Sequence, residues 1–145
     1  MLSLLTIISI SLTSPILPSK PSVNLNNELI VNLSKKQVSL KQDGRIIKSY
    51  PIAIGKKGWE TPIGNWKVRE KLINPGWTNF ISGKVMKPGR GNPMGSRWIG
   101  FWTDGRDEIG FHATQDIGSI GKASSSGCLR MKEADIQDLF KHVRE

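Results

Sequence analysis

Between Glu28 and Gly55 three short runs, ELIVNL, QVSLKQ and RIIKSYPIAIG, alternate apolar with polar side chains and are rich in Val and Ile. A period of two marks strands that bury one face. Asp43-Gly44 separates the second run from the third, and Asp-Gly suits a type I′ hairpin, whose two central residues both need positive φ. Asp104-Gly105 repeats the signal between WIGFWT and EIGFHAT. NWKVREKLI, after the turn residues Thr61-Pro62-Ile63-Gly64, reads as a further strand. From Asn74 to Arg97 five Gly and three Pro accompany Trp77, Phe80 and Met86, which predicts a long loop or a ragged hairpin, the kind of segment that serves as a lid or binding loop. Ile136, Leu139, Phe140 and Val143 recur at three- and four-residue intervals and predict an amphipathic helix over roughly Lys132 to Val143. His142 falls off that stripe and reads as a solvated helix-end residue. The chain is thus mainly β with one C-terminal helix.

The first nineteen residues are apolar and uncharged up to Lys20, and residues 14–27 carry three prolines. The division expected is 1–27, a signal-like or membrane-anchoring apolar segment plus linker, and 28–145, one folded domain. This predicts an extracytoplasmic protein, in periplasm or cell wall, secreted or held to the membrane through residues 1–17. A basic flank and an A-x-A cleavage site are missing, so a buried strand is the competing reading of this segment.

Charge changes the picture only modestly. With 21 basic and 12 acidic residues the net charge is +9, which favours anionic surroundings, but no dense basic run or nucleic-acid motif accompanies it and no nucleic-acid partner is expected. The glycines of IGSIGKASSSG lack the P-loop spacing. Cys128 is the single cysteine, so an intramolecular disulfide is excluded. Zinc held by Cys128, His112 and His142 would lack a fourth ligand and the usual close ligand pairs; neither metal nor cofactor is expected.

A lone thiol acquires chemistry when an imidazole can take its proton. His112, at the end of the EIGFHAT strand, lies sixteen positions before Cys128, and the intervening Ser- and Gly-rich loop can return the chain alongside it. Gly127 permits close backbone approach, so amides around Gly127 and Cys128 can donate to an oxyanion. The competing reading is a small buried hydrophobe and a satisfied core histidine.

Phe111-His112-Ala113-Thr114 followed by Ser125-Ser126-Gly127-Cys128-Leu129-Arg130-Met131 resembles the signature of the YkuD-type L,D-transpeptidases, in which an apolar residue and His precede Gly-Thr, and Ser-x-Gly-Cys-(Ile/Leu/Val)-Arg follows. Thr61-Pro62-x-Gly64, Asn74-Pro75-x-Trp77 and Gly91-Asn92-Pro93-Met94-Gly95-x-Arg97-Trp98 resemble the family's lead-in, so the similarity covers about Glu28 to Glu145. Ala113 stands where Gly is usual, which a non-positive φ accommodates, and Ser126 stands where some relatives have a second His. Members usually add a strand after the last helix, where this sequence reaches Glu145.

The resemblance implies a β-sandwich or barrel-like mixed sheet with a C-terminal amphipathic helix and a long Gly/Pro-rich loop. It implies a cysteine acyltransferase acting on peptidoglycan stem tetrapeptides: Cys128 as nucleophile, and His112 as base and then acid, oriented by a backbone carbonyl near Ala113. It adds Arg130 as a substrate-holding or loop-ordering group, whose competing reading is a structural ion pair. Thr114 and Ser125 are expected to support the catalytic pair through hydrogen bonds, with Ala113 and Ser126 beside it. Trp77 and Asn92 to Gly95 are expected to shape the acceptor side. Attack by an amine gives a crosslink and attack by water gives an L,D-carboxypeptidase. A non-catalytic cell-wall binding module is the alternative from another class.

Overall fold

The computed structural model describes residues 26–145 apart from Phe80; the apolar start and the linker up to residue 25 lie outside that span. Strands β1 (Asn27–Asn32), β2 (Gln37–Gln42) and β3 (Arg45–Pro51) form an antiparallel sheet in that order. Asp43 and Gly44 have φ of 48° and 82°, the pair of positive values that a type I′ turn demands. The third predicted strand divides. It leaves the sheet at Pro51, which has no amide hydrogen to extend a ladder, bridges to Arg130 through Ala53, and becomes β4 (Ile54–Gly55).

β5 (Glu70–Ile73) is only the last part of NWKVREKLI, because its partner β8 (Arg97–Thr103) bulges just beyond Gly100, where the pairing Glu70↔Gly100 ends. Between them β6 (Trp77–Thr78) and β7 (Val85–Met86) make the ragged hairpin. β8 reaches β9 (Glu108–Ala113) through a four-residue loop rather than a two-residue turn. The cause is the Asp104 carboxylate, which accepts the amides of Arg106 at 2.9 Å and Asp107 at 2.7 Å, so the side chain makes the turn that the backbone would otherwise make.

After a 3-10 turn at Ile117–Ser119 come β10 (Ala123–Ser125), β11 (Leu129–Met131) and helix α1 (Glu133–His142). β10 pairs in parallel with β4. The largest sheet runs β11-β9-β8-β5, with β11 and β9 parallel and the other pairs antiparallel. Its inner face offers Ile99, Phe111, Ala113, Leu129 and Met131, which meet Val38 and Leu40 of β2 and the Ile136, Leu139 and Val143 stripe of α1 in one core. Burying such side chains is worth about 1.5–3 kcal/mol each, which makes this the main source of the sheet's register. Asp138 ties α1 to β3 by accepting the Tyr50 hydroxyl and the Lys48 ammonium, both at 2.7 Å.

Candidate active site

Strand alternation follows from that core. Phe111, Ala113, Leu129 and Met131 point inward, so Gly110, His112 and Arg130 belong to the opposite face. The pairing Leu129↔Phe111 and Arg130↔His112 sets Cys128, one position earlier, level with Gly110. Cys128, His112 and Arg130 all line one cleft of about 1060 Å³ on this face. The thiol is partly exposed and the imidazole 7% exposed. The two groups singled out from the sequence therefore open to a common space, and neither is sealed in the core.

The cleft floor depends on a tryptophan lying over glycines. Trp98 pairs with His112 across β8 and β9, with the rings 6.3 Å apart, and its indole N–H donates to Glu70 at 3.1 Å. A methyl group on Gly110 would come within 2.7 Å of the Trp98 ring and one on Gly100 within 2.8 Å, closer than van der Waals contact allows.

Cys128 stands on a tightly tied loop. Ser125 Oγ donates to the Cys128 carbonyl at 2.6 Å and accepts the Gly127 amide at 3.2 Å. Thr61 Oγ1 donates to the Gly127 carbonyl at 2.8 Å and accepts the Gly55 amide at 3.0 Å. Gly127 has φ of 112° and a Cβ there would sit 2.7 Å from Ile109 Cδ1, so both conformation and space require glycine. Because the Gly127 N–H is taken by Ser125, of the two amides anticipated as oxyanion donors only that of Cys128 is left for the role. Thr61 was not among the residues expected in the site; Thr61-Pro62-x-Gly64 was the signal, but a turn motif does not say where a hydroxyl will reach.

His112 Nδ1 lies 2.6 Å from the Ala113 carbonyl oxygen. A carbonyl only accepts, so the neutral ring carries its proton on Nδ1 and keeps its lone pair on Nε2. Burial holds the imidazole down to about 4, helped by the Arg130 charge and opposed by hydrogen bonding to the Ala113 and Pro93 carbonyls. Burial likewise pushes the Cys128 thiol up, with Glu108 adding to the effect and the Gly110 amide and Arg130 opposing it. Near neutral pH the resting pair is thiol and imidazole, both uncharged. The sulfur also lies 3.8 Å from the Glu108 carbonyl oxygen.

The remaining expected residues separate into two groups. Thr114, Ser125, Ser126, Trp77 and Arg130 line the cleft; Thr114 Oγ1 accepts the Asp116 amide at 3.1 Å. Among the described residues no carboxylate lies within ion-pair distance of the Arg130 guanidinium, which speaks against the structural ion pair. Of the span Asn92 to Gly95, Pro93 and Met94 line the cleft, whereas Asn92 and Gly95 do not. Asn92 is 2% exposed and spends its amide on the Pro75 and Lys87 carbonyls and the Met94 N–H, holding the long loop together from within. A Cβ on Gly95 would come within 2.4 Å of the Ala113 methyl, so this glycine makes room for the alanine at 113, whose φ is not positive. His142 sits on α1, 3.8 Å from Asp138.

A family model for the YkuD L,D-transpeptidase catalytic domain matches residues 26–145. Two Bacillus subtilis (strain 168) proteins named as putative L,D-transpeptidases are similar over 131 residues each: YkuD, 30% identical, covering 90% of this chain and 69% of that protein, and YqjB, 35% identical, covering 88% and 68%. Among solved structures, L,D-transpeptidase 3 from Mycobacterium tuberculosis with a faropenem-derived adduct superposes with a TM-score of 0.66 at 13% identity. That alignment covers 82% of this chain and 57% of the solved one, so this chain spans little more than half of that protein. The chain belongs to the YkuD family of L,D-transpeptidase catalytic domains.

Proposed function

We propose that this chain is an extracytoplasmic cysteine acyltransferase that forms L,D crosslinks in peptidoglycan. The donor is a stem tetrapeptide whose third residue is a diamino acid and whose fourth is D-Ala. Cys128 Sγ attacks the third residue's carbonyl carbon while its proton passes to His112 Nε2. The Cys128 amide stabilises the oxyanion. The C–N bond then breaks, D-Ala leaves with the proton from His112, and a thioester remains. An amine of a second stem attacks that thioester, its proton returns through His112, and the C–S bond breaks to regenerate the thiol. Arg130 holds a donor carboxylate, and residues 1–17 keep the domain at the membrane or are removed on export.

The observation that carries this reading is the bond from His112 Nδ1 to the Ala113 carbonyl, which leaves Nε2 as the proton-accepting nitrogen of a ring that lines the same cleft as Cys128. The test is intact mass after exposure to a carbapenem, followed by muropeptide analysis with tetrapeptide stems. One adduct that is absent in Cys128→Ala, with crosslinked dimers and free D-Ala, is the expected result. Tripeptides without dimers would make the enzyme a carboxypeptidase. Binding to sacculi unchanged in Cys128→Ala, with no adduct and no altered muropeptide, would make it a wall-binding module.

A further inference from the structure

We infer that Thr61 is a positioning residue for the acyl-transfer step, aiming the Cys128 amide at the place where the oxyanion forms. The inference rests on the acyltransferase reading above. The Gly127 carbonyl and the Cys128 N–H belong to one planar trans peptide unit, so they point in opposite directions. Thr61 Oγ1 holds that carbonyl at 2.8 Å in a buried contact, and Thr61 is 5% exposed. The carbonyl is therefore turned inward and the N–H at the other edge of the unit is turned away from Thr61, on the residue that opens to the cleft.

Other ties make that orientation depend on Thr61 in particular. Ser125 engages the groups on either side, the Gly127 N–H and the Cys128 carbonyl, but not the peptide between them. Gly127, at φ of 112°, lacks the side chain that would restrict rotation of this unit. The Thr61 hydroxyl is itself fixed, because it accepts the Gly55 amide at 3.0 Å. A Cβ on Gly55 would lie 2.7 Å from the Thr61 nitrogen, so the bare glycine lets the Thr61 segment come this close to β4. The result is a relay from a strand amide through a hydroxyl to the one peptide that an acyl-transfer oxyanion has to face.

The test separates oxyanion stabilisation from thiol reactivity. Alkylation of Cys128 by iodoacetamide passes through no oxyanion, whereas carbapenem acylation does. Thr61→Val, close in shape, is expected to slow acylation by about tenfold or more, short of the roughly 10²- to 10³-fold cost of deleting a whole oxyanion donor, while alkylation stays within about twofold of the original. Thr61→Ser, which keeps the hydroxyl, is expected to restore acylation. Thr61→Ala carries the same comparison if the valine variant does not fold. Acylation at the original rate in a folded variant lacking the hydroxyl would overturn the inference, as would an equal fall in both rates. An unsubstituted chain that alkylates but takes no carbapenem adduct would instead overturn the acyltransferase reading, and this inference with it.

Discussion

His112 Nδ1 and the Ala113 carbonyl oxygen lie 2.6 Å apart, a bond between a ring and the backbone of the very next residue. Among the described residues no carboxylate bonds to this imidazole; only the Ala113 and Pro93 carbonyls favour its charged form, and burial outweighs them. The base is weak but always unprotonated near neutrality. On the acyltransferase reading that trade is workable, because the thiol, also raised by burial, delivers its proton only as the sulfur attacks.

The acid limb of the acylation rate is therefore expected to fall with a midpoint near 4, the value to which His112 is depressed, and not near 6.5. On the alkaline side the rate is expected to rise only above the usual thiol range. A carbapenem acylation profile from pH 3 to 10 checks both limbs. An acid midpoint near 6.5 would show that the ring is solvated.

The same group links pH to folding. A histidine whose folded pKa lies below its unfolded one binds protons more readily when unfolded, so its neutral burial stabilises the fold fully above about 6.5. That contribution is lost as pH falls through 4, and a gap of this size is worth about 3 kcal/mol. Thermal melts between pH 7 and pH 4 are expected to show this loss in the original chain and a shallower slope in His112→Gln.

Gly127→Ala meets two obstacles, a φ of 112° and contact with Ile109 Cδ1 at 2.7 Å. A cost of about 1–3 kcal/mol is expected from backbone strain alone. Adding Ile109→Val removes the clashing methyl and is expected to recover the steric part only. Denaturant melts of both single variants and the double variant separate the two costs.

Arg130→Met removes the cation that depresses both His112 and Cys128. The acid limb is expected to move above 4. Capture of the tetrapeptide donor is expected to weaken by about tenfold or more, the scale of a charge-assisted hydrogen bond. A higher KM together with a shifted limb supports both roles; an unchanged KM would remove the carboxylate-holding role.

Away from the cleft lining, Tyr50→Phe removes the part-buried hydroxyl that Asp138 accepts at 2.7 Å. About 1 kcal/mol of stability is expected to go with it, with no change in acylation. Lowered acylation at unchanged stability would show that α1 communicates with the cleft.

How much of this was legible beforehand varied with how local the determining physics is. The turn at Asp43-Gly44 was readable because positive φ at both residues is a property of the dipeptide, and the helix because its stripe repeats within a single element. β10, three residues long, fell within the segment read as loop, and β11, also of three, was assigned no element: Ala-Ser-Ser and Leu-Arg-Met have no periodicity to detect, and they become strands by pairing with β4 and β9. The paired cysteine and histidine stood out through their motif. Asn92 and Gly95 stood out in the same way and yet serve the interior of a loop and the room beside Ala113, since a motif does not state which way a side chain faces. Thr61 went unassigned for the converse reason: its importance lies in a contact with a residue sixty-six positions later.

β9 and β11 run side by side in the same direction, an arrangement that no simple hairpin can produce. The chain must travel out through the 3-10 turn and β10 and come back before Cys128 and His112 can line one cleft. Until that crossover closes, the sulfur and the ring are not held on one face of the sheet. On the acyltransferase reading, competence thus arrives with a parallel pairing that needs the intervening β10 already in place, so an assay of acyl transfer reports on completed topology as well as on chemistry.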